Sequence, residues 1–205
     1  MLFNVLVIVS VLLEVTMLKR FLLFFPYLAD SFLRTRGSAV LESSVRVSTD
    51  RNILALTLLL PAVLLMYRYR LYDPIFLHNL SPNLYMLSLL GVLMAYLMLR
   101  LLLYVLLKPR RRFDFYRLAH RAGYTYFILL MLLLLVTVGV LALVHRNDLT
   151  IRRFIYIETI AVYAVFLLRK AQILSMSCNP LRTFLYLCGL EFLPTSLLVL
   201  SAVLL

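Results

Sequence analysis

Long apolar runs alternate with short polar and basic segments along the whole chain of 205 residues. An apolar run of roughly 20 residues is long enough to cross the hydrocarbon core of a membrane as a helix. The predicted spans are 2–18, 53–69, 84–107, 124–144, 154–175 and 181–205. We therefore predict an all-α fold, a polytopic transmembrane helical bundle of about six spans that forms one integral membrane domain over residues 1–205.

Two of the polar segments between these runs are long. Residues 29–52 are rich in serine and carry charges of both signs, which predicts a cytoplasmic loop in which Ser48 or Thr49 caps the following helix. Residues 108–123 are dense in basic and aromatic side chains, which predicts a linker lying on the membrane surface. Pro180 stands where the first turn of the last helix is expected.

Composition and charge agree with a membrane location. Apolar residues make up 64% of the chain, which is more apolar surface than a soluble core of this size could bury. The net charge of +12 comes from Lys and Arg residues clustered between the apolar runs. This pattern predicts anionic lipid headgroups at the cytoplasmic face as partners and excludes nucleic acid, since no soluble stretch is long enough to form a binding module.

The distribution of the 21 Lys and Arg residues predicts the orientation. Fifteen lie near the ends of the first, third and fifth predicted spans or in the segments after them, five lie in the other two loops, and Arg100 lies inside the third span. Because short cytoplasmic loops carry the excess of positive charge, this distribution places both termini on the periplasmic side of an inner membrane.

Charged and polar residues inside the predicted spans are the candidate site, because ions in hydrocarbon need partners. We expect Glu191 to pair with Arg169 or Lys170 across the hairpin of the last two spans. Helical rise places Glu191 about 15 Å and Arg169 about 9 Å from the turn. Spacing also predicts a stripe on the fifth span that faces protein. The stripe comprises Glu158, Val162, Val165, Arg169 and Gln172.

Two further sets of residues complete the candidates. Glu14 and Arg100 form a second candidate pair, because they lie at similar depth near the cytoplasmic ends of their helices. Basic residues at the membrane surface are candidate headgroup contacts. They are Arg68, Arg70, Arg110, Arg111 and Arg112. Paired charges can fix helix register without binding or moving anything, so a structural role and a functional role both remain open.

Catalytic signatures are missing from the sequence. Its three His residues are scattered singly and its two Cys residues show no zinc spacing, so we predict no catalytic residue, metal or cofactor. We favour a non-enzymatic subunit or assembly partner of an envelope complex, with a membrane protein as partner. A small-solute or proton-coupled transporter using intramembrane carboxylates is the first alternative, and a membrane enzyme acting on lipids is the second.

Three segments resemble a family of multi-spanning inner-membrane proteins of Bacteroidota-type bacteria, known as a domain of unknown function. They are the run from Tyr67 to Pro74, the run from Arg169 to Gln172, and the run from Phe184 to Pro194, which ends in Leu-Glu-Phe-Leu-Pro. The resemblance covers most of the chain from about Ser31 onward. It implies a bacterial inner-membrane location and brings no activity, ligand or functional residue.

Overall fold

The computed structural model describes residues 2–33, 45–77, 80–107, 113–145, 147–175 and 180–204. These residues form six long helices, two of them interrupted, which confirms the all-α class. The α-helices are α1 Leu2–Leu33, α2 Val45–Thr57, α3 Leu59–Arg68, α4 Pro82–Leu106, α5 Phe113–Leu143, α6 Asp148–Ser175, α7 Pro180–Leu187 and α8 Leu193–Leu204. A 3₁₀ turn, Ile75–Leu77, precedes α4, and a π-helical turn, Cys188–Phe192, joins α7 to α8.

Among the described residues, four helical segments are long and apolar enough to cross a membrane. They are Val47–Arg68, Pro82–Leu106, Leu118–Leu143 and Thr183–Ala202. The chain is therefore a candidate multi-pass membrane protein. The predicted spans 2–18 and 154–175 lie within α1 and α6, whose apolar stretches are interrupted by charged side chains, and neither helix is among the four. The count of six spans stays a prediction.

The bounds of both predicted polar segments are wrong. Residues 29–33 continue α1, and α2 begins at Val45, so Ser48 and Thr49 lie inside a helix and do not cap one. Residues 113–123 form the first three turns of α5, because buried Tyr116, Ala119 and Ala122 recur at a helical spacing of three. Residues 34–44 and 108–112, with the candidates Arg110, Arg111 and Arg112, lie outside the described residues.

Proline residues set the two interruptions. Pro61 has no N–H to donate to the carbonyl of Thr57, and α2 ends at Thr57 before α3 resumes at Leu59. Pro194 likewise cannot donate to the carbonyl of Leu190, which lies in the π-helical turn. Each proline frees one carbonyl four residues earlier, as expected inside membrane helices that neighbouring groups can support.

Helix ends meet at one end of the bundle, here called the Tyr72 end. The ring of Phe3 at the start of α1 lies 5.2 Å from the ring of Tyr67 near the end of α3. Tyr67 lies 5.7 Å from Tyr85 at the start of α4, and the Tyr72 hydroxyl lies 2.8 Å from Ser201 Oγ near the end of α8. Consecutive long helices therefore alternate in direction.

The opposite end of the bundle is called the Tyr116 end. Tyr104 near the end of α4 stacks on Tyr116 at the start of α5, with ring centroids 5.1 Å apart, and Tyr186 of α7 lies 5.4 Å from Tyr116. Leu174 and Leu190 are buried in the same cluster. This packed aromatic and aliphatic cluster lies beside the charged residues of the candidate site.

Candidate functional site: a buried ion cluster

Glu191 is the centre of a buried cluster of three charged side chains. Lys170 Nζ donates to Glu191 Oε1, and Arg100 Nη2 lies 2.8 Å from Oε1 and 3.0 Å from Oε2. Glu191 and Lys170 are only 1% and 2% exposed. Both carboxylate oxygens therefore bind cations within the bundle, and the contacts join α4, α6 and the π-helical turn.

The expected pairing of Glu191 with Arg169 or Lys170 is confirmed, and the partner is Lys170. Arg169 Nη1 donates to Gln172 Oε1 at 3.2 Å on the same helix. One residue along an α-helix corresponds to a rotation of about 100°, so two adjacent side chains cannot both face Glu191. Lys170 shares the buried face of α6 with Phe166 and Ile173, whereas Gln172 is exposed and does not face protein as the stripe predicted.

The second candidate pair, Glu14 with Arg100, does not form, and this prediction is wrong. Arg100 binds Glu191, and Glu14 accepts a hydrogen bond from Ser10 at 3.4 Å, one turn earlier on α1. Depth correctly placed Arg100 near the Tyr116 end, but Glu191 lies at a similar depth and is the nearer carboxylate. A sequence signal for this choice exists, because Tyr96, Arg100 and Tyr104 recur at steps of four and form one half-buried face of α4.

Gly123 on α5 lets the Arg100 guanidinium pass close to the helix backbone. A methyl group at this position would lie 2.9 Å from Arg100 Nη2, a distance at which the guanidinium must move. Gly139, also on α5, has open space around it, and a methyl group there would meet nothing within 4 Å. Gly123 is therefore a specific part of the site, which sequence analysis did not single out.

The π-helical turn contains Glu191, and two side-chain hydroxyls bind the carbonyl of Glu191. The N–H of Leu193 donates to the carbonyl of Cys188, five residues earlier, which defines the turn. The Thr195 hydroxyl donates to the carbonyl of Glu191, and the Tyr163 hydroxyl reaches the same carbonyl at 3.3 Å and Thr195 Oγ1 at 3.1 Å. Because π-helical turns are rare and occur frequently at functional sites, this local geometry marks the segment.

Aromatic rings surround the cations. Arg100 Cζ and Lys170 Nζ lie 5.8 Å and 5.6 Å from the centroid of the Phe166 ring, within cation–π range. Towards the Tyr116 end, His120 stacks on Tyr104 at 3.8 Å. Burial raises the pKa of the Tyr116 hydroxyl above its ordinary value, so this group stays protonated and donates to the carbonyl of Tyr104 at 3.3 Å.

Glu158 lies apart from the cluster. It is 12 residues before Lys170 on α6, about 18 Å by helical rise, towards the Tyr72 end. Its Oε1 accepts a hydrogen bond from Thr137 Oγ1 of α5 at 3.1 Å, whereas Oε2 is buried with no partner among the described residues. The fold therefore does not bring Glu158 into contact with Glu191.

Sequence analysis did not identify Arg51, a buried cation outside the cluster, because its segment was predicted to be a loop. Arg51 is 1% exposed, and its Nη2 donates to Ser48 Oγ at 3.3 Å. Its guanidinium lies 5.9 Å from the centroid of the Tyr124 ring, and Arg121 Nη1 also donates to Ser48 Oγ, at 3.4 Å. Polar residues in a helix that packs inside the bundle thus hold α2 against α5.

Arg68 and Arg70, the described headgroup candidates, lie at the Tyr72 end. Arg68 Nη2 is 3.3 Å from Asp148 Oδ2, and both side chains are more than half exposed. Arg70 Nη1 is 3.7 Å from Asp73 Oδ2. Exposed ion pairs of this kind contribute little to stability, and the role of these arginines in headgroup contact stays a prediction.

The arrangement holds three charged side chains in fixed positions within the bundle. In the part of the chain that the structure describes, no group of three His, Cys, Asp or Glu side chains is placed to hold a metal ion. Comparison with models of known protein families, with curated proteins and with solved structures finds no match to this chain. The resemblance to the inner-membrane family therefore stays a prediction.

Proposed function

We propose that this chain is a six-span inner-membrane protein of a Bacteroidota-type bacterium that acts as a non-enzymatic subunit or assembly partner of an envelope complex. The observation that carries the proposal is the burial of Glu191 between two cations. Both oxygens of Glu191 bind cations, and the carboxylate is 1% exposed, which leaves no open face at which it could bind a substrate. A cluster of this kind fixes the relative positions of helices, which is a structural task.

The alternating directions of the long helices support six crossings. Phe3 and Ser201 both contact residues of the Tyr72 end, as expected if the first helix begins and the last helix ends on the same side of a bilayer. Only 6% of the apolar stretch of α4 is buried against other parts of the chain. A helix packed so loosely by its own chain leaves a long apolar face for lipid or for a partner helix.

Purification of the full chain in a mild detergent, by an affinity tag on the native protein expressed in its own cell, tests the role. A membrane protein recovered in constant stoichiometry, and lost when the exposed residues Leu87 and Met94 of α4 are changed to Phe, supports an assembly partner. Purification as a lone protein would contradict it. The Glu191→Gln variant, purified in parallel, reports whether partner binding needs the ion cluster.

Reporter fusions test the proposed topology separately. Fusions after Ser38 and after Leu205 should report cytoplasm and periplasm, respectively. A cytoplasmic signal at Leu205 would change the number of spans by one and would contradict the proposed orientation.

A proton-coupled transporter is the second candidate, and one observation favours it. Glu158 keeps one buried oxygen without a partner among the described residues, and the π-helical turn lies between it and the Tyr116 end. Unpaired intramembrane carboxylates are a feature of proton relays. Solute uptake into vesicles, driven by a pH gradient and lost in Glu158→Gln, would support this candidate over the first.

A further inference from the structure

Arg100 has hydrogen-bond donors that the ion cluster does not use. A guanidinium carries five N–H groups. Glu191 accepts only from Nη2, whereas Nε is buried without a partner and Nη1 makes no hydrogen bond among the described residues. Three N–H groups of this largely buried cation therefore have no acceptor among the described residues, and leaving the buried Nε unbound is costly.

The cluster also carries one more positive than negative charge. Arg100 and Lys170 are cations and Glu191 is the single carboxylate that binds them. The other carboxylates described in ion pairs, Asp50, Asp73 and Asp148, bind Arg20, Arg70 and Arg68 elsewhere in the bundle. A formal charge of +1 in a medium of low dielectric is unfavourable unless an anion or a change of protonation compensates it.

Access to the cluster leads through Arg100. Its side chain is 20% exposed, whereas Glu191 and Lys170 are closed off. Arg100 stands six residues before the end of α4 at Leu106, about 9 Å by helical rise. This depth is within the range over which arginine side chains draw lipid headgroups and water towards themselves.

We infer that the free N–H groups of Arg100 bind a phosphate group, which supplies the missing negative charge of the cluster. The N–H groups of a guanidinium donate charge-assisted hydrogen bonds to phosphate oxygens, and a phosphodiester carries a single negative charge that balances the excess of +1. The phosphate comes either from the headgroup of an anionic lipid or from inorganic phosphate in solution. This site does not depend on the proposed role as an assembly partner.

Native mass spectrometry and thermal unfolding of the delipidated full chain distinguish the two sources. In one arm phosphatidylglycerol is added to the neutral detergent, with diacylglycerol as the uncharged control, and in the other arm inorganic phosphate is added without lipid. We expect a response in one of the two arms. In the lipid arm it is one bound phosphatidylglycerol, and in the phosphate arm it is a rise in Tm that depends on the phosphate concentration. Retention of phosphatidylglycerol identifies a lipid site, and a response to inorganic phosphate alone identifies a soluble anion.

Arg100→Lys is the decisive variant because lysine keeps the charge beside Glu191 but lacks the Nε and Nη1 donors. Loss of two or more charge-assisted hydrogen bonds should weaken phosphate binding by roughly tenfold or more. Arg153→Lys, on an exposed residue near the start of α6, is the matched control and should bind as the native protein does. If Arg100→Lys does not fold, the two arms on the native protein still decide. Equal binding by Arg100→Lys and the native protein, or no response in either arm, overturns the inference and leaves a neutral Lys170 amine as the way in which the cluster is balanced.

Discussion

The two ends of the bundle are each held by an arginine paired with a carboxylate, but the surroundings of these pairs differ. At the Tyr72 end, Arg68 and Asp148 are 56% and 62% exposed, and neutral hydrogen bonds join the neighbouring helices. At the Tyr116 end, Glu191 is sealed between Arg100 and Lys170. An exposed pair loses little when one partner is removed, because water replaces it, whereas a buried pair leaves a charge that nothing solvates. Burial, and not the presence of a pair, decides which end the fold depends on.

The largest effect should come from Glu191→Gln. This change leaves Arg100 and Lys170 facing each other without a carboxylate, so the free energy of unfolding should fall by about 3 to 5 kcal/mol. Reversible unfolding in mixed micelles measures it. Asp148→Asn, at the exposed pair, is the control and should cost about 1 kcal/mol or less. Equal losses in the two variants would show that burial does not distinguish the two ends.

Double variants identify which cation depends on Glu191. Adding Lys170→Met to Glu191→Gln removes one of the two unpaired charges, and the coupling energy should be roughly 1 to 3 kcal/mol in the direction of rescue. Arg169→Met is the matched control one residue away, and its coupling to Glu191→Gln should stay below about 0.5 kcal/mol. Rescue by Arg169→Met and not by Lys170→Met would contradict the pairing described above.

Gly123→Ala tests whether the close approach of Arg100 to α5 matters. The added methyl group displaces the guanidinium from Glu191, and overpacking of this kind costs about 1 to 3 kcal/mol, partly offset by the higher helix propensity of alanine. Gly139→Ala on the same helix has open space around it and should be neutral or slightly stabilising. If both variants unfold alike, Gly123 has no special relation to Arg100.

The smallest effect is expected at the Tyr72 end. Tyr72→Phe removes the hydrogen bond to Ser201, and Ser201 Oγ keeps its bond to the carbonyl of Leu198. Interhelical hydrogen bonds in membrane proteins contribute about 0.6 kcal/mol on average, so Tm should fall only slightly. Tyr27→Phe, at an exposed side chain of α1, should leave Tm unchanged. A loss at Tyr72 as large as that of Glu191→Gln would reverse the comparison between the ends.

The sequence by itself determined the all-α class of the fold and the approximate depth of the charged residues along their helices. Runs of apolar residues predict helices because the hydrophobic effect and the need to satisfy backbone hydrogen bonds act locally along the chain. Counting residues along the helices placed Glu191 and Lys170 near the same turn. These inferences need only rise per residue and the chemistry of single residues.

Only the tertiary structure decided which residues touch. Residue counting gives similar depths for Arg169 and Lys170, and it does not separate Glu14 from Glu191 as the partner of Arg100. The choice depends on the rotation of each helix about its axis. That rotation is set by packing of many side chains at once, such as Phe166 and Ile173 on α6 and the cluster around Tyr116. Arg51 shows the same limit, since the end of the serine-rich segment, from Val45 onward, forms a helix whose contacts with α5 are distant in sequence. Local pattern determines the helices, and long-range packing determines their faces.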